Sequence, residues 1–274
     1  MKTKIEFLEN YVGRLSAPDK MPGYGYSIPA WRCKMGKILM GIPGSICSSC
    51  YAMTGAYIWA VVKNAMNRRY YKIKKACLNR RYRETFINQF SQLLNRKLEG
   101  TKKRLKDGKP IGADGRVFRW HDSGDLQSET HLDVINRIAL ATPGVKHWLP
   151  TREYSIVKTW LKDGGVLSEN LCIRLSAHYI DQDPVSVGWL IAEGCTVSSA
   201  HTEKAKLNNE TMDRFAWREC PAYKTKKDGK LGTVGSSETG YCGSCRRCWN
   251  RKVMAVSYPL HVAMFSLLLL GLTS

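Results

Sequence analysis

Three cysteines at two-residue intervals, Cys242-Gly-Ser-Cys245-Arg-Arg-Cys248, follow a fourth, Cys220, across a loop rich in Gly, Lys and Ser. Three thiolates this close in sequence, with one more at a distance, can close a tetrahedral shell around zinc, and the same donors could hold an iron–sulfur cluster. Zinc is the simpler expectation, with His261 in reserve if Cys220 lies too far away. A second group, Cys33, Cys47 and Cys50, has its last two members in a CxxC followed by Tyr51. Spacing alone leaves metal binding and simple burial both open there, and an iron–sulfur cluster is the alternative cofactor. Cys77, Cys172 and Cys195 stand without neighbours in sequence and read as core residues. A different chemistry is offered by His121-Asp122-Ser123-Gly124-Asp125-Leu126-Gln127, which sets two carboxylates three residues apart beside a glycine that admits close backbone approach. Paired carboxylates can share the work of nucleophile and general acid–base at a glycosidic carbon.

Something must hold these groups in place, and the middle of the chain supplies it. The runs RVFRWHDSGD, VKHWLPTRE, NLCIRLSAH and GCTVSSAH each read as a strand ending in polar residues, spaced roughly 23 to 29 residues apart. Between them, SETHLDVINRIALATPG and SIVKTWLKDGG have helical periodicity and stop at glycine. A strand near Tyr26 to Ala30 could be an earlier member. This βα series, about 114–205, predicts an α/β fold with a parallel sheet, built as a complete or partial (β/α) barrel, because polar residues recur where barrels place their chemistry. The candidate rim is His121, Asp122, Ser123 and Asp125, then Thr151 and Arg152, Ser176 and His178, and Ser198, Ser199 and His201. Any one of these could equally be a helix cap or a satisfied loop residue. The metal-binding knuckle would occupy about 218–252, all within one catalytic domain of 274 residues.

The formal charge is +20, a field that attracts polyanions. From Lys63 to Lys106 lie fifteen Lys or Arg and only two acids, Glu84 and Glu99. That stretch lacks proline, has its one interior turn signal at Gly100, and reads as a basic helical insertion over about 57–106. Tyr70, Tyr71 and Tyr82 interleave with Arg68, Arg69, Arg80, Arg81 and Arg83, which favours contact with a phosphate backbone over a merely solvated face. The N-terminus has no apolar stretch of signal-peptide length, so a cytoplasmic, reducing setting is expected, with thiols as ligands rather than disulfides. The apolar run Val262–Leu272 is short of the roughly 20 residues that span a bilayer and reads as a last core element, with no membrane partner.

Asp122-Ser123-Gly124-Asp125-Leu126-Gln127 resembles the DSGGFQ strand end of the tRNA-guanine transglycosylases, and Leu149-Pro150-Thr151-Arg152 is similar to their PTR stretch. Those barrel enzymes exchange guanine for a 7-deazaguanine and carry a cysteine-rich zinc site near the C-terminus, the order found in this chain. In size the chain is closer to phage-encoded relatives that place 7-deazaguanines in DNA. Lys146 stands where the family's nucleophilic Asp would fall, so the resemblance does not identify the nucleophile. It implies Asp122 as a catalytic carboxylate, Ser123, Gly124 and Gln127 as base contacts, and Cys242, Cys245 and Cys248 as zinc ligands. The resulting expectation is a base-exchange enzyme with DNA and a 7-deazaguanine as substrates. Asp122 and Asp125 would share catalysis, and His121, Thr151, Arg152, His178 and His201 would line the pocket. Two alternatives are an iron–sulfur enzyme of the radical type and a non-enzymatic zinc-stapled DNA-binding protein.

Overall fold

A computed structural model describes residues 4–18, 21–103, 105–106, 109–110, 112–202, 217–220, 242 and 244–260. His261, the Val262–Leu272 run and most of the loop after Cys220 lie outside the described residues. Seven strands form one sheet: β1 (Tyr24–Tyr26), β2 (Val117–Trp120), β3 (Lys146–Thr151), β4 (Leu171–Ser176), β5 (Thr196–His201), β6 (Trp217–Glu219) and β7 (Ala255–Pro259). Their order is β1-β2-β3-β4-β5-β7-β6, and every pairing is parallel. Through β5 each strand lies beside its predecessor, so all strand C-termini meet at one end, as the βα series requires. Among the described residues the sheet is open, with β1 and β6 at its edges.

The sheet is covered on both faces, which is why all six residues of β4 are buried. The helices are α1 (Ile5–Val12), α2 (Lys34–Met40), α3 (Ala60–Leu78), α4 (Arg80–Lys103), α5 (Glu129–Leu140), α6 (Tyr154–Lys162) and α7 (Gly188–Ala192), and all but α2 pack on one face. There, Phe118, Trp120, Leu149, Ile173, Leu175 and Val197 pack with helix residues such as Phe86, Phe90, Leu132, Ile135 and Ile156. Phe90 sits at the centre, 5.2 Å from the Trp120 ring and 5.1 Å from Tyr26. Truncating it to Ala would cost about 3–5 kcal/mol, through forfeited apolar burial and the cavity left behind. The other face meets the C-terminal segment, where Val117, Trp148 and Val256 pack with Cys220, Cys248 and Trp249. Arg174, fully buried on β4, fastens that segment by donating to the carbonyls of Arg247 (2.9 Å) and Val253 (3.2 Å), and to Val197 (3.0 Å).

The basic stretch is two helices, not one with a turn at Gly100. Asn79 has extended dihedrals, and its Oδ1 accepts the Tyr82 amide at 2.8 Å. A short amide side chain that can cap the next helix is what ends α3 and starts α4. Gly100 stays within α4. Ser128 caps α5 in the same manner through the His131 amide. No helix among the described residues is long and apolar enough to cross a membrane.

Candidate active-site rim

The connection from β1 to α3, residues 27–59, folds across the C-terminal ends of β2, β3 and β4. Its hydrogen bonds fix it there. Ile28 N–H donates to the Ser123 carbonyl and Ile46 N–H to the His178 carbonyl. Glu153, just past β3, accepts the Lys34 and Met35 amides at the start of α2 (3.1 and 2.7 Å). Tyr51 donates its hydroxyl to the Asp122 carbonyl, and Tyr57 donates to Asp122 Oδ2 at 3.1 Å. These bonds turn polar strand ends into a roofed rim.

Beneath that roof Asp122 and Asp125 have different surroundings. Asp122 accepts from Tyr57 through one oxygen, while its Oδ1 is buried without a hydrogen-bond partner. Burial pushes the Tyr57 hydroxyl well up, with the Asp122 charge adding to it, so Tyr57 remains a donor. Arg119 from β2 lies over the Trp148 ring at 4.4 Å. Burial opposes its charge, but Tyr51, Asp122 and Tyr57 around it raise its pKa on balance. Asp125 has no such freedom, since Oδ1 accepts from the Leu126 amide (2.7 Å) and Thr151 Oγ (2.6 Å), and Oδ2 from the Arg152 amide (2.9 Å). It ties the end of β2 to the end of β3. Burial outweighs those bonds and raises its pKa.

Several other expected pocket residues also serve the frame. His121, at φ 54°, is buried and faces His131 of α5 at 5.2 Å. Gly124 has φ +84°, and a Cβ there would lie 2.3 Å from Ile28 Cγ1, so the close approach it permits is that of Ile28. Gln127 donates to the Arg32, Asp125 and Leu126 carbonyls. Thr151 is spent on Asp125. Ser123 is buried, its Oγ without a partner. Arg152 holds the Ala177 carbonyl through Nε, and His178 stacks on Tyr154 at 4.6 Å with Nε2 3.2 Å from the Arg152 carbonyl. Ser176 and Ser198 pair across β4 and β5 at 3.1 Å, and Ser199 donates to the Gln182 carbonyl. His201 is buried against Trp217, with Nδ1 3.8 Å from Asp181.

The basic helices adjoin this rim. Along α3, Tyr70 lies under Arg32 (5.1 Å), Arg69 Nη1 reaches the Ser27 carbonyl (3.4 Å), and the Cys77 thiol lies beside Ser128. All three partners stand just beyond strand C-termini, so α3 runs along that end while α4 makes the return to the start of β2. Arg69 is 6% exposed and holds the Arg14 carbonyl as well, so its charge is internal and not free for phosphate. Arg68, Arg80 and Arg81 are exposed, with Lys63, Lys74 and Lys75. Arg68 keeps one bond to the Gly13 carbonyl.

At the far side, Cys248 hydrogen-bonds with the Tyr258 hydroxyl at 3.1 Å. Burial pushes its thiol up to about 12, and Cys220 and Cys242 add to the rise, while Cys245 is a neighbour of Cys242. Cys248 thus lies within electrostatic reach of Cys220 and Cys242, and Cys242 within reach of Cys245. On the rim, Cys33 and Cys47 lie with Cys50 near Asp125 and Glu153, and burial raises both thiols. Among the described residues no three His, Cys, Asp or Glu side chains converge on one point as a single metal ion requires. Tyr51 and Tyr57 are not among the residues that sequence reasoning singled out for Asp122, since they sit 65 or more residues from it.

Taken together, fold and rim define a mixed α/β protein whose described residues form an open, seven-stranded parallel sheet, with polar groups gathered at the strand C-termini under one long connection. Residues 2–251 match the family described as Gene product 88, and the chain belongs to that family. No curated protein and no solved structure matches it.

Proposed function

We propose that this chain is a base-exchange enzyme acting on DNA, replacing guanine with a 7-deazaguanine at the C-terminal rim of a partial barrel. The observation that carries the reading is Asp122: a carboxylate at a strand end, steadied by Tyr57 through one oxygen, with the other buried and uncommitted. In this reading that oxygen attacks C1′ of a flipped deoxyguanosine, the C1′–N9 bond breaks, and guanine leaves with the bonding pair and takes a proton from water. The incoming 7-deazaguanine gives its N9 proton to water, bonds to C1′ through N9 and displaces the Asp122 carboxylate. Two inversions keep the β configuration. Asp125 is a positioning residue here, because its three accepted hydrogen bonds hold the Asp122 loop against β3. The exposed cations of α3 and the start of α4 would grip the distorted backbone beside the rim. Cys220, Cys242, Cys245 and Cys248 would hold a zinc ion, which would staple the C-terminal segment to the sheet.

The test is nucleoside mass spectrometry of DNA incubated with the full chain and a 7-deazaguanine base. Wild type should incorporate the base, and Asp122→Asn should lower turnover by a factor of about 10² to 10⁴ or more while the fold survives. Undiminished exchange by Asp122→Asn, or none by a folded wild type on guanine-containing duplex and single strands, would sink the reading.

A further inference from the structure

The base-exchange reading leaves the rim cysteines without a task. Cys33 follows the first turn after β1 and leads into α2, Cys47 and Cys50 lie in the next turns, and the connection's bonds to Ser123, Glu153 and His178 bring all three to one part of the rim. A Cβ placed on Gly36 would lie 3.6 Å from Cys33 Sγ and 3.9 Å from Cys47 Sγ, so the two sulfurs are no more than 7.5 Å apart. Cys50 is near enough to act electrostatically on both. Gly36 itself belongs to the arrangement, since that Cβ would press to 2.7 Å from Cys33 Cβ.

We propose that Cys33, Cys47 and Cys50 ligate an iron–sulfur cluster on the rim, with one iron left without a protein thiolate. The bound of 7.5 Å between the two sulfurs accommodates a cluster. Thiolates around one tetrahedral zinc stand about 3.8 Å apart, given Zn–S bonds of about 2.3 Å. Among the described residues no group of three His, Cys, Asp or Glu that could hold one metal ion is present. A cluster interposes irons and sulfides, so its thiolates stand farther apart. The neighbouring carboxylates are not competing ligands, because Asp125 and Glu153 already accept backbone amides. Arg152, beside Cys47, supplies positive charge to an anionic cluster. Of the remaining cysteines, Cys77 lies beside Ser128, Cys172 3.4 Å from Thr196 Oγ1, Cys195 near Arg251, Cys220 and Cys248 on the opposite sheet face, and Cys242 near Arg119. Three thiolates for a four-iron cluster leave one iron open to a small-molecule ligand. This inference stands independently of base exchange.

The experiment purifies the full chain without oxygen, supplies iron and sulfide, and measures bound iron, acid-labile sulfide and the electron paramagnetic resonance spectrum after dithionite reduction. About four irons per chain and a reduced-cluster signal are expected. Cys33→Ala, Cys47→Ala and Cys50→Ala should each lose most of the iron, whereas Cys77→Ala and Cys242→Ala should retain it, with circular dichroism reporting the fold of each. A folded wild type that takes up no iron and sulfide, or that takes zinc alone, overturns the proposal. So does a cluster lost only with Cys242. The spectrum of wild type needs no variant, and base-exchange activity, scored separately, distinguishes failure of this proposal from failure of the other.

Discussion

Replacing Asp125 with Ala would remove the acceptor that three donors share: the Leu126 amide, Thr151 Oγ and the Arg152 amide. A stranded buried donor costs about 1–3 kcal/mol, but the rim lies near solvent and water can reach some of these groups. Loss of a carboxylate that burial disfavours also returns part of the cost. The net destabilisation is therefore about 2–4 kcal/mol, which for a chain of this length lowers Tm by roughly 4–16 °C. The sign with pH follows from the raised pKa. Asp125 contributes its full stability below the unfolded carboxyl pKa of about 3.9 and loses part of it as pH rises through its folded value. The gap between wild type and Asp125→Ala should therefore be widest in acid and narrower near neutrality. Differential scanning calorimetry at several pH values measures both. A Tm change below about 2 °C at every pH would refute the argument that this carboxylate holds the two strand ends together.

Neutralising Arg68, Arg80 and Arg81 to Gln should reduce the slope of log K against log salt for DNA by a little under one unit for each phosphate no longer neutralised. Arg69→Gln should lower stability instead, and fluorescence anisotropy titrations with a melting curve separate the two. Cys242→Ser or Cys248→Ser should leave the protein with less bound zinc and a lower Tm, read by elemental analysis and calorimetry. His131 and His147 are pushed down to about 3 by burial. Each thus contributes stability above pH 6.5 that is lost as pH falls towards 3, and His147→Asn should shallow the acid limb of the denaturation midpoint against pH.

Much of the framework is legible in residue order. The four strand runs, the helices between them and the parallel pairing follow from apolar stretches that end in polar residues at regular intervals. The break at Asn79 is not legible, because one capping amide inside a long helix-forming segment looks like any other polar surface residue. The rim positions of Asp122, Thr151, Ser176, His178 and Ser198 can be read from the strand ends, but their employment cannot. Whether a carboxylate is free or bonded depends on groups brought from far away, such as Tyr57 for Asp122 and the Arg152 amide for Asp125. Charge misleads in the same way at Arg69, where the helix face that carries it packs on the chain near Arg14.

Arg174 imposes a schedule on synthesis. Its guanidinium sits in the middle of the sheet, yet two of the carbonyls it needs come from Arg247 and Val253, 73 and 79 positions later. At about 5–20 residues per second, a ribosome takes roughly 4–16 s to deliver them. Throughout that interval β4 can pair with β3, but it cannot dry its outer face without stranding a charge. The nascent sheet must therefore stay hydrated on one side until the C-terminal segment arrives, and the moment of docking becomes the moment when that side of the molecule closes.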